Sequence, residues 1–176
     1  MRLSILLAAV STLPIILASP YPLRSFSHKF IEERYSSQPE TRSNSSQSFC
    51  PGHPAPEAYQ RKIFFDFIHD LYVTKDVIGA FDKYIAVNLT EHDPFDAQGR
   101  DANAQKLSHI IPYVPSTVLR MSFDNNIGLA HVRVDEADEE PIALADIYRM
   151  DGTCIVEHWD VTQARPANAT NPIAMF

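Results

Sequence analysis

The chain has 176 residues, room for one ordinary domain plus an appendage, and its 45% apolar content is enough for a core. A net charge of −7, with fifteen lysines and arginines scattered rather than clustered, leaves no basic stripe to neutralise phosphates. Nucleic acid is therefore excluded as a partner.

The chain begins MRLSILLAAVSTLPIILA: one arginine, an apolar stretch broken by Ser4, Ser11, Thr12 and Pro14, then small residues at Ala18 and Ser19. This pattern predicts a signal peptide over residues 1–18 and a secreted protein. The alternative, a membrane anchor, wants about 20 uninterrupted apolar residues, and Pro14 falls inside this run. No later segment is long and apolar enough to span a bilayer, so no membrane association is expected after signal removal. Residues 19–49 lack apolar periodicity and carry eight serines between Ser25 and Ser48, which predicts a disordered leader.

A folded domain is expected over residues 50–176. Pro56 and Glu57 suit a first helical turn, and Ile63, Phe64, Phe67, Ile68 and Leu71 follow at helical spacing. A second helix is predicted through TKDVIGAFDKYI, with Val77, Ile78, Phe81, Tyr84 and Ile85 on its apolar side and Thr74 as candidate cap. A third follows DPFDAQG, with Ala102, Leu107, Ile110 and Ile111 as its apolar side before Pro112 and Pro115. The period then changes. STVLRMSFD, IGLAHVRVD, PIALADIYRM and TCIVEHWDVT are strand-length runs separated by turn signals, with no helix between them. Helices first and an antiparallel meander after them predict an α+β fold.

Secretion changes the reading of several residues. Cys50 and Cys154 form one even pair, and an oxidising compartment permits a disulfide stapling the start of the domain to its sheet; a buried free thiol at Cys154 is the alternative. Three N-x-[ST] sequons, at Asn44, Asn88 and Asn168, are candidate glycosylation sites.

His131 and Asp146 are the polar residues that the strand pattern does not want. A carboxylate in apolar surroundings becomes a usable base near neutral pH, and an imidazole on a neighbouring strand can orient it. The bland alternative is a satisfied structural pair, or one residue facing solvent. Whether Glu157 or His158 joins Asp146 depends on hairpin register. A two-residue loop at Asp151 and Gly152 sets Asp146 opposite Glu157, and one more loop residue sets it opposite His158. Glu91, His92 and Asp93 are possible metal ligands, but consecutive residues seldom converge on one ion and no HxxxH, HxH or CxxC spacing occurs, so no metal is expected. Nucleotide-binding loops and a GxSxG elbow are likewise missing from the sequence.

DIYRMDGTCIVEHWDVTQ resembles the closing strands of SnoaL-like proteins, of the nuclear transport factor 2-like superfamily. KYIAVNLTEHDPFDAQGRDA is similar to that family's Y-I-Q-H-N-P stretch, with Glu91, His92, Asp93 and Pro94 at Q-H-N-P, and TNPIAMF resembles its short tail. Asp93 stands where the family has asparagine, Glu91 where it has glutamine, and Cys154 where lysine is common. The resemblance implies a cone-shaped, curved antiparallel sheet wrapped around about three N-terminal helices and enclosing a pocket, commonly in a homodimer. It also implies a cofactor-free enzyme performing aldol, cyclase or isomerase chemistry on a small hydrophobic carbonyl compound, with Asp146 and His131 as acid/base pair. His92, Asp93, Tyr148, Glu157 and Trp159 are the expected ligand-binding residues. A non-catalytic extracellular binding protein on the same cone is the alternative. A third possibility is a protein-facing dimer whose cone is filled by its own side chains.

Overall fold

The computed structural model describes residues 48–176. The predicted signal peptide, nearly all of the leader and the Asn44 sequon lie outside the described residues.

Helix α1 spans Glu57–His69, begins behind Pro56, and buries the apolar stripe predicted for it: Ile63, Phe64, Phe67 and Ile68 are each no more than 1% exposed. It runs into a single π-helical turn, Asp70–Thr74, that buries Leu71 and Tyr72. Such a turn widens the backbone by one residue and re-aims the side chains it carries. Helix α2, Val77–Tyr84, is capped by Asp76, whose Oδ1 accepts from the Gly79 N–H at 3.1 Å. The expected cap Thr74 instead donates its hydroxyl back to the Asp70 carbonyl at 2.7 Å. Asp76 wins because it directly precedes the first helical residue, as a capping side chain must.

Ile85, expected to close the second helix, instead opens strand β1, Ile85–Glu91. Helix α3 follows over Arg100–Ser108 and ends before Ile110 and Ile111, which fall in hydrogen-bonded turns. Ala102 is exposed, and the helix buries Asn103 and Ala104 instead. The Asn103 amide donates to the carbonyls of Ala97 and Gly99, so its burial closes the preceding loop.

The predicted meander forms as β2 (Ser116–Asp124), β3 (Ile127–Val134), β4 (Ile142–Asp151) and β5 (Cys154–Ala164). Each consecutive pair is antiparallel, and β1 adds a parallel edge beside β5, giving the order β1-β5-β4-β3-β2. The inner face of this curved sheet packs on α1 and the π turn. Gly128 of β3 marks the closest approach: a Cβ there would lie 2.6 Å from the Phe64 ring.

The residues before α1 fasten onto the β4–β5 hairpin. Cys50 and Cys154 are disulfide-bonded, with Cα atoms 4.9 Å apart. The Thr153 N–H donates to the His53 carbonyl at 3.0 Å, and the Thr153 hydroxyl donates to the Phe49 carbonyl at 2.7 Å. Gly152 has φ +56°, and a Cβ there would meet the His53 carbonyl oxygen at 2.0 Å, so only glycine fits this contact.

Closing a loop with a sequence separation of 104 restricts the unfolded chain strongly, by up to about 4–5 kcal/mol in the chain-entropy account. Replacing both cysteines by serine should therefore lower the urea unfolding free energy by up to that amount. Gly152→Ala should lower it by about 1 kcal/mol or more with the disulfide intact. An unchanged urea midpoint for Gly152→Ala would contradict the packing of the hairpin tip against residues 49–54.

Candidate acid/base site on the inner face of the sheet

Strand alternation sends Asp146, Tyr148 and Met150 of β4 inward, with His158 of β5 opposite Tyr148 and Asp160 opposite Asp146. This register is neither of the two considered from sequence. The loop residues are Gly152 and Thr153, and a bulge between Arg149 and Met150 sets the strands one further residue apart. Asp146 thereby faces Asp160, and His158 comes within reach of Asp146 along a diagonal.

His158 is held between two carboxylates. Its Nδ1 lies 2.9 Å from both oxygens of Glu91, and its Nε2 lies 3.2 Å from Oδ1 of Asp146. Burial disfavours the charged ring, but the hydrogen bonds and negative charges of Asp146 and Glu91 outweigh it and raise the pKa to about 10. The ring is thus an imidazolium at neutral pH, donating from both nitrogens. Glu91 is fixed in turn: its Oε1 accepts the backbone N–H groups of His92 at 2.9 Å and Asp93 at 3.0 Å.

The other oxygen of Asp146, Oδ2, accepts the hydroxyl of Tyr72 from the π turn, and that of Tyr148 at 3.3 Å. Burial, then the charge of Asp146, pushes both phenols well above their ordinary pKa, so both stay protonated donors. Asp146 is 3% exposed. Asp160 is half-buried on the same face. Burial, followed by the nearby Asp93 and Asp146 carboxylates and a hydrogen bond with Asp93, lifts its pKa to about 6 against the opposing charge of His158.

His131 does not join this group. Ala130 is the residue paired with Asp146, so His131, one position on, points to the outer face beside Ala145. There Arg120 donates to its Nδ1 at 2.7 Å and Phe176 stacks on it at 6.3 Å. Burial and then Arg120 lower its pKa, opposed by a hydrogen bond to the Met175 backbone. The expected ligand residues divide between the two faces. Tyr148 faces inward and Asp93 meets Asp160. His92, Glu157 and Trp159 form an outer cluster, in which His92 stacks on Trp159 at 4.8 Å and its Nε2 lies 2.8 Å from Glu157. Glu157 also accepts from Arg149 at 2.6 Å, and His92 first, then Arg149, lowers its pKa.

Sequence reasoning overlooked Tyr72, Glu91's link to His158, and Asp160. The signal for Asp160 was present, since it shares a strand face with His158 once the period of two is followed. For Tyr72 there was no comparable signal, because the widened π turn decides its direction. Two clefts of about 390 and 420 Å³ lie away from these residues: Glu136, Glu139 and Arg165 line one, and Asp70, Asp76 and Asp82 the other.

The raised pKa of His158 carries a sign. The stability it contributes is fully present below about pH 6.5 and is lost as pH rises through about 10. Wild-type protein should therefore lose urea resistance between pH 7 and 10.5. His158→Gln should be less stable at pH 7 by about 3–5 kcal/mol, because it strands two buried carboxylates. It should also show a flatter pH dependence over that window, and an equally steep loss would contradict the imidazolium.

No protein-family model matches the chain, and no curated protein matches it either. Solved structures do. A nuclear transport factor 2-like protein of unknown function from Mesorhizobium loti superposes with a TM-score of 0.54 at 20% identity, covering 64% of this chain and 98% of that one. A candidate ketosteroid isomerase from Kribbella flavida gives 0.55 at 12% identity, over 65% and 85%. A nuclear transport factor 2-like protein of unknown function from Cytophaga hutchinsonii gives 0.51 at 17% identity, over 64% and 94%. At these identities the likeness is one of fold. With three helices against a curved, mostly antiparallel five-stranded sheet, the chain has the nuclear transport factor 2-like fold.

Proposed function

We propose that the protein is a secreted, cofactor-free acid/base enzyme acting on a small hydrophobic carbonyl compound, with Asp146 as its base. The observation that carries this reading is the array of Glu91, His158 and Asp146 with two phenols, almost wholly buried under a half-buried Asp160. Three charged groups in a core cost desolvation that apolar residues of similar volume would avoid, so stability alone does not account for them. Perturbed titratable groups gathered in one place are a mark of functional sites.

The geometry suits proton abstraction beside a carbonyl. A ligand that displaces one phenol from Oδ2 of Asp146 meets a carboxylate oxygen and a phenolic donor together. The C–H proton passes to Oδ2, the bonding electrons move onto the carbonyl oxygen, and the freed phenol donates to the enolate so formed. His158 replaces His131 in this scheme as the group that orients Asp146, holding its other oxygen. The enolate then takes a proton at another carbon or attacks a second carbonyl, which are isomerase and aldol outcomes of one step.

Export is supported by the signal-like N-terminus and by the Cys50–Cys154 bridge, which suits an oxidising compartment. Asn88 and Asn168 are exposed, as glycan acceptors must be, and we assign them that role. The outer face presents Ile147, Trp159 and the 64% exposed Val161, and a second copy of this chain is its proposed partner.

The protein and Asp146→Asn are to be incubated with extract of the producing culture and the small molecules compared by mass spectrometry. A product formed by wild type and reduced about 10²-fold or more in the variant is the expected result. Full turnover by Asp146→Asn would sink the assignment, and a compound retained unchanged by both proteins would make this a carrier. Treatment of the secreted protein with an N-glycosidase should lower its mass, and Asn88→Gln and Asn168→Gln should each remove part of that shift.

A further inference from the structure

Glu91 reaches His158 from β1, the edge of the sheet, and an edge strand turns half of its backbone groups away from any neighbouring strand. Glu91 stands opposite His158 in the parallel ladder, and the His92 N–H donates to the His158 carbonyl at 3.0 Å. The N–H and carbonyl of Glu91 therefore point the other way, to the open edge. One side chain takes both. Oε1 of Gln98 accepts the Glu91 N–H at 3.0 Å, and Nε2 of Gln98 donates to the Glu91 carbonyl at 2.6 Å. Gly99 continues the pattern, its N–H donating to the Leu89 carbonyl at 3.1 Å. Gln98 and Gly99 thus occupy the place of a further strand beside β1.

The loop carrying Gln98 is held from behind by Asn103 of α3, whose Nδ2 donates to the carbonyls of Ala97 at 2.7 Å and Gly99 at 2.8 Å. Asn103 is 2% exposed, and its Oδ1 has no hydrogen-bond partner among the described residues. A buried amide with an unpaired oxygen costs stability that an apolar residue would not, so what Asn103 secures is the shape of the loop. Gln98 itself is exposed, and water can replace its two bonds without unfolding the chain. Water does not replace their direction. Two bonds from one planar amide set the tilt of the Glu91 backbone, and the Glu91 carboxylate on the inner side has little slack. Its Oε1 accepts the N–H groups of His92 and Asp93, while both oxygens lie 2.9 Å from Nδ1 of His158.

We propose that Gln98 is a positioning residue of the acid/base site: it fixes Glu91 at the open edge of β1, and through Glu91 the His158 ring that holds Asp146. The proposal rests on the acid/base reading of the site. Gln98 touches no reacting atom. Its effect on turnover passes through the direction of the imidazole, as supporting hydrogen bonds around a reacting group act in general.

The first test needs no substrate. In the disulfide-bonded protein, ¹⁵N-edited spectra report the ring nitrogens of His158 and their titration, which in wild type has its midpoint at about 10. Gln98→Met keeps the length of the side chain and removes both bonds. It should displace the ring signals and lower that midpoint by about half a unit or more, with an unchanged melting temperature. Gln98→Glu keeps the acceptor for the Glu91 N–H but sets an oxygen against the Glu91 carbonyl, and its midpoint should move as well. Should Gln98→Met fail to fold, the Gln98→Glu result decides. With a substrate identified through Asp146→Asn, Gln98→Met should lower kcat about tenfold and leave KM unchanged. Ring signals and a midpoint identical to wild type in the folded variant overturn the proposal. Turnover lost in Asp146→Asn while His158 ignores Gln98 would leave the catalytic reading standing and remove only the role of Gln98.

Discussion

The protonated ring of His158, set between Glu91 and Asp146, is the interaction on which the inner face depends. It ties the distant β1 to the β4–β5 hairpin: β1 supplies Glu91, β4 supplies Asp146, and β5 lies between them with the imidazole. Removing any one partner leaves a buried charge uncompensated, so the three positions stand or fall together. The phenols of Tyr72 and Tyr148 then extend the same constraint into the π turn and across the ring stack of Tyr148 on His158 at 4.5 Å.

A second Glu–His pair mirrors the first on the other side of the sheet. The dipeptide Glu-His occurs at 91–92 and again at 157–158, and β1 runs parallel to β5 with Glu91 in register with His158. Alternation sends one residue of each dipeptide inward and the other outward, in opposite order in the two strands. Glu91 therefore meets His158 inside, and Glu157 meets His92 outside. An edge strand joined to its neighbour by a parallel ladder is held less firmly than an antiparallel one. Two ion pairs on opposite faces offset that weakness at the place where the Asp93 turn begins. The inner pair is buried and sets charge, whereas the half-exposed outer pair contributes less to stability.

Much of the fold was legible in the sequence because amphipathic patterns state burial directly. The stripe from Ile63 to Leu71 and the four strand runs after Ser116 needed no tertiary information. Strand β1 was hidden because Phe81, Tyr84 and Ile85 continue a helical pattern, and its partner Ile155 lies seventy residues on. The candidate site was legible only in its centre. Asp146 stood out as a carboxylate in an apolar strand, but His131 stood out for the same reason and lies on the opposite face. One residue of register separates the two, and composition carries no trace of register. Tyr72 looked like one more member of an apolar helix end.

What decides the register, and with it the site, is local to the hairpin tip. Without the bulge between Arg149 and Met150, the loop at Gly152 and Thr153 would set Asp146 opposite Trp159, a pairing of residues that now face opposite sides. The sheet would then have to bury either an indole beside a carboxylate or neither. The bulge adds the one residue that returns His158 and Asp160 to the inner face. Just beyond it the chain is pinned on three counts: by the Cys50–Cys154 bridge, by Thr153 bonded to Phe49 and His53, and by a glycine that alone tolerates the His53 carbonyl. A hairpin free to slide would exchange its faces at each step. Fastened at its tip to residues 49–54, it cannot, and the chemistry at Asp146 is thereby fixed by contacts at the far end of the strand.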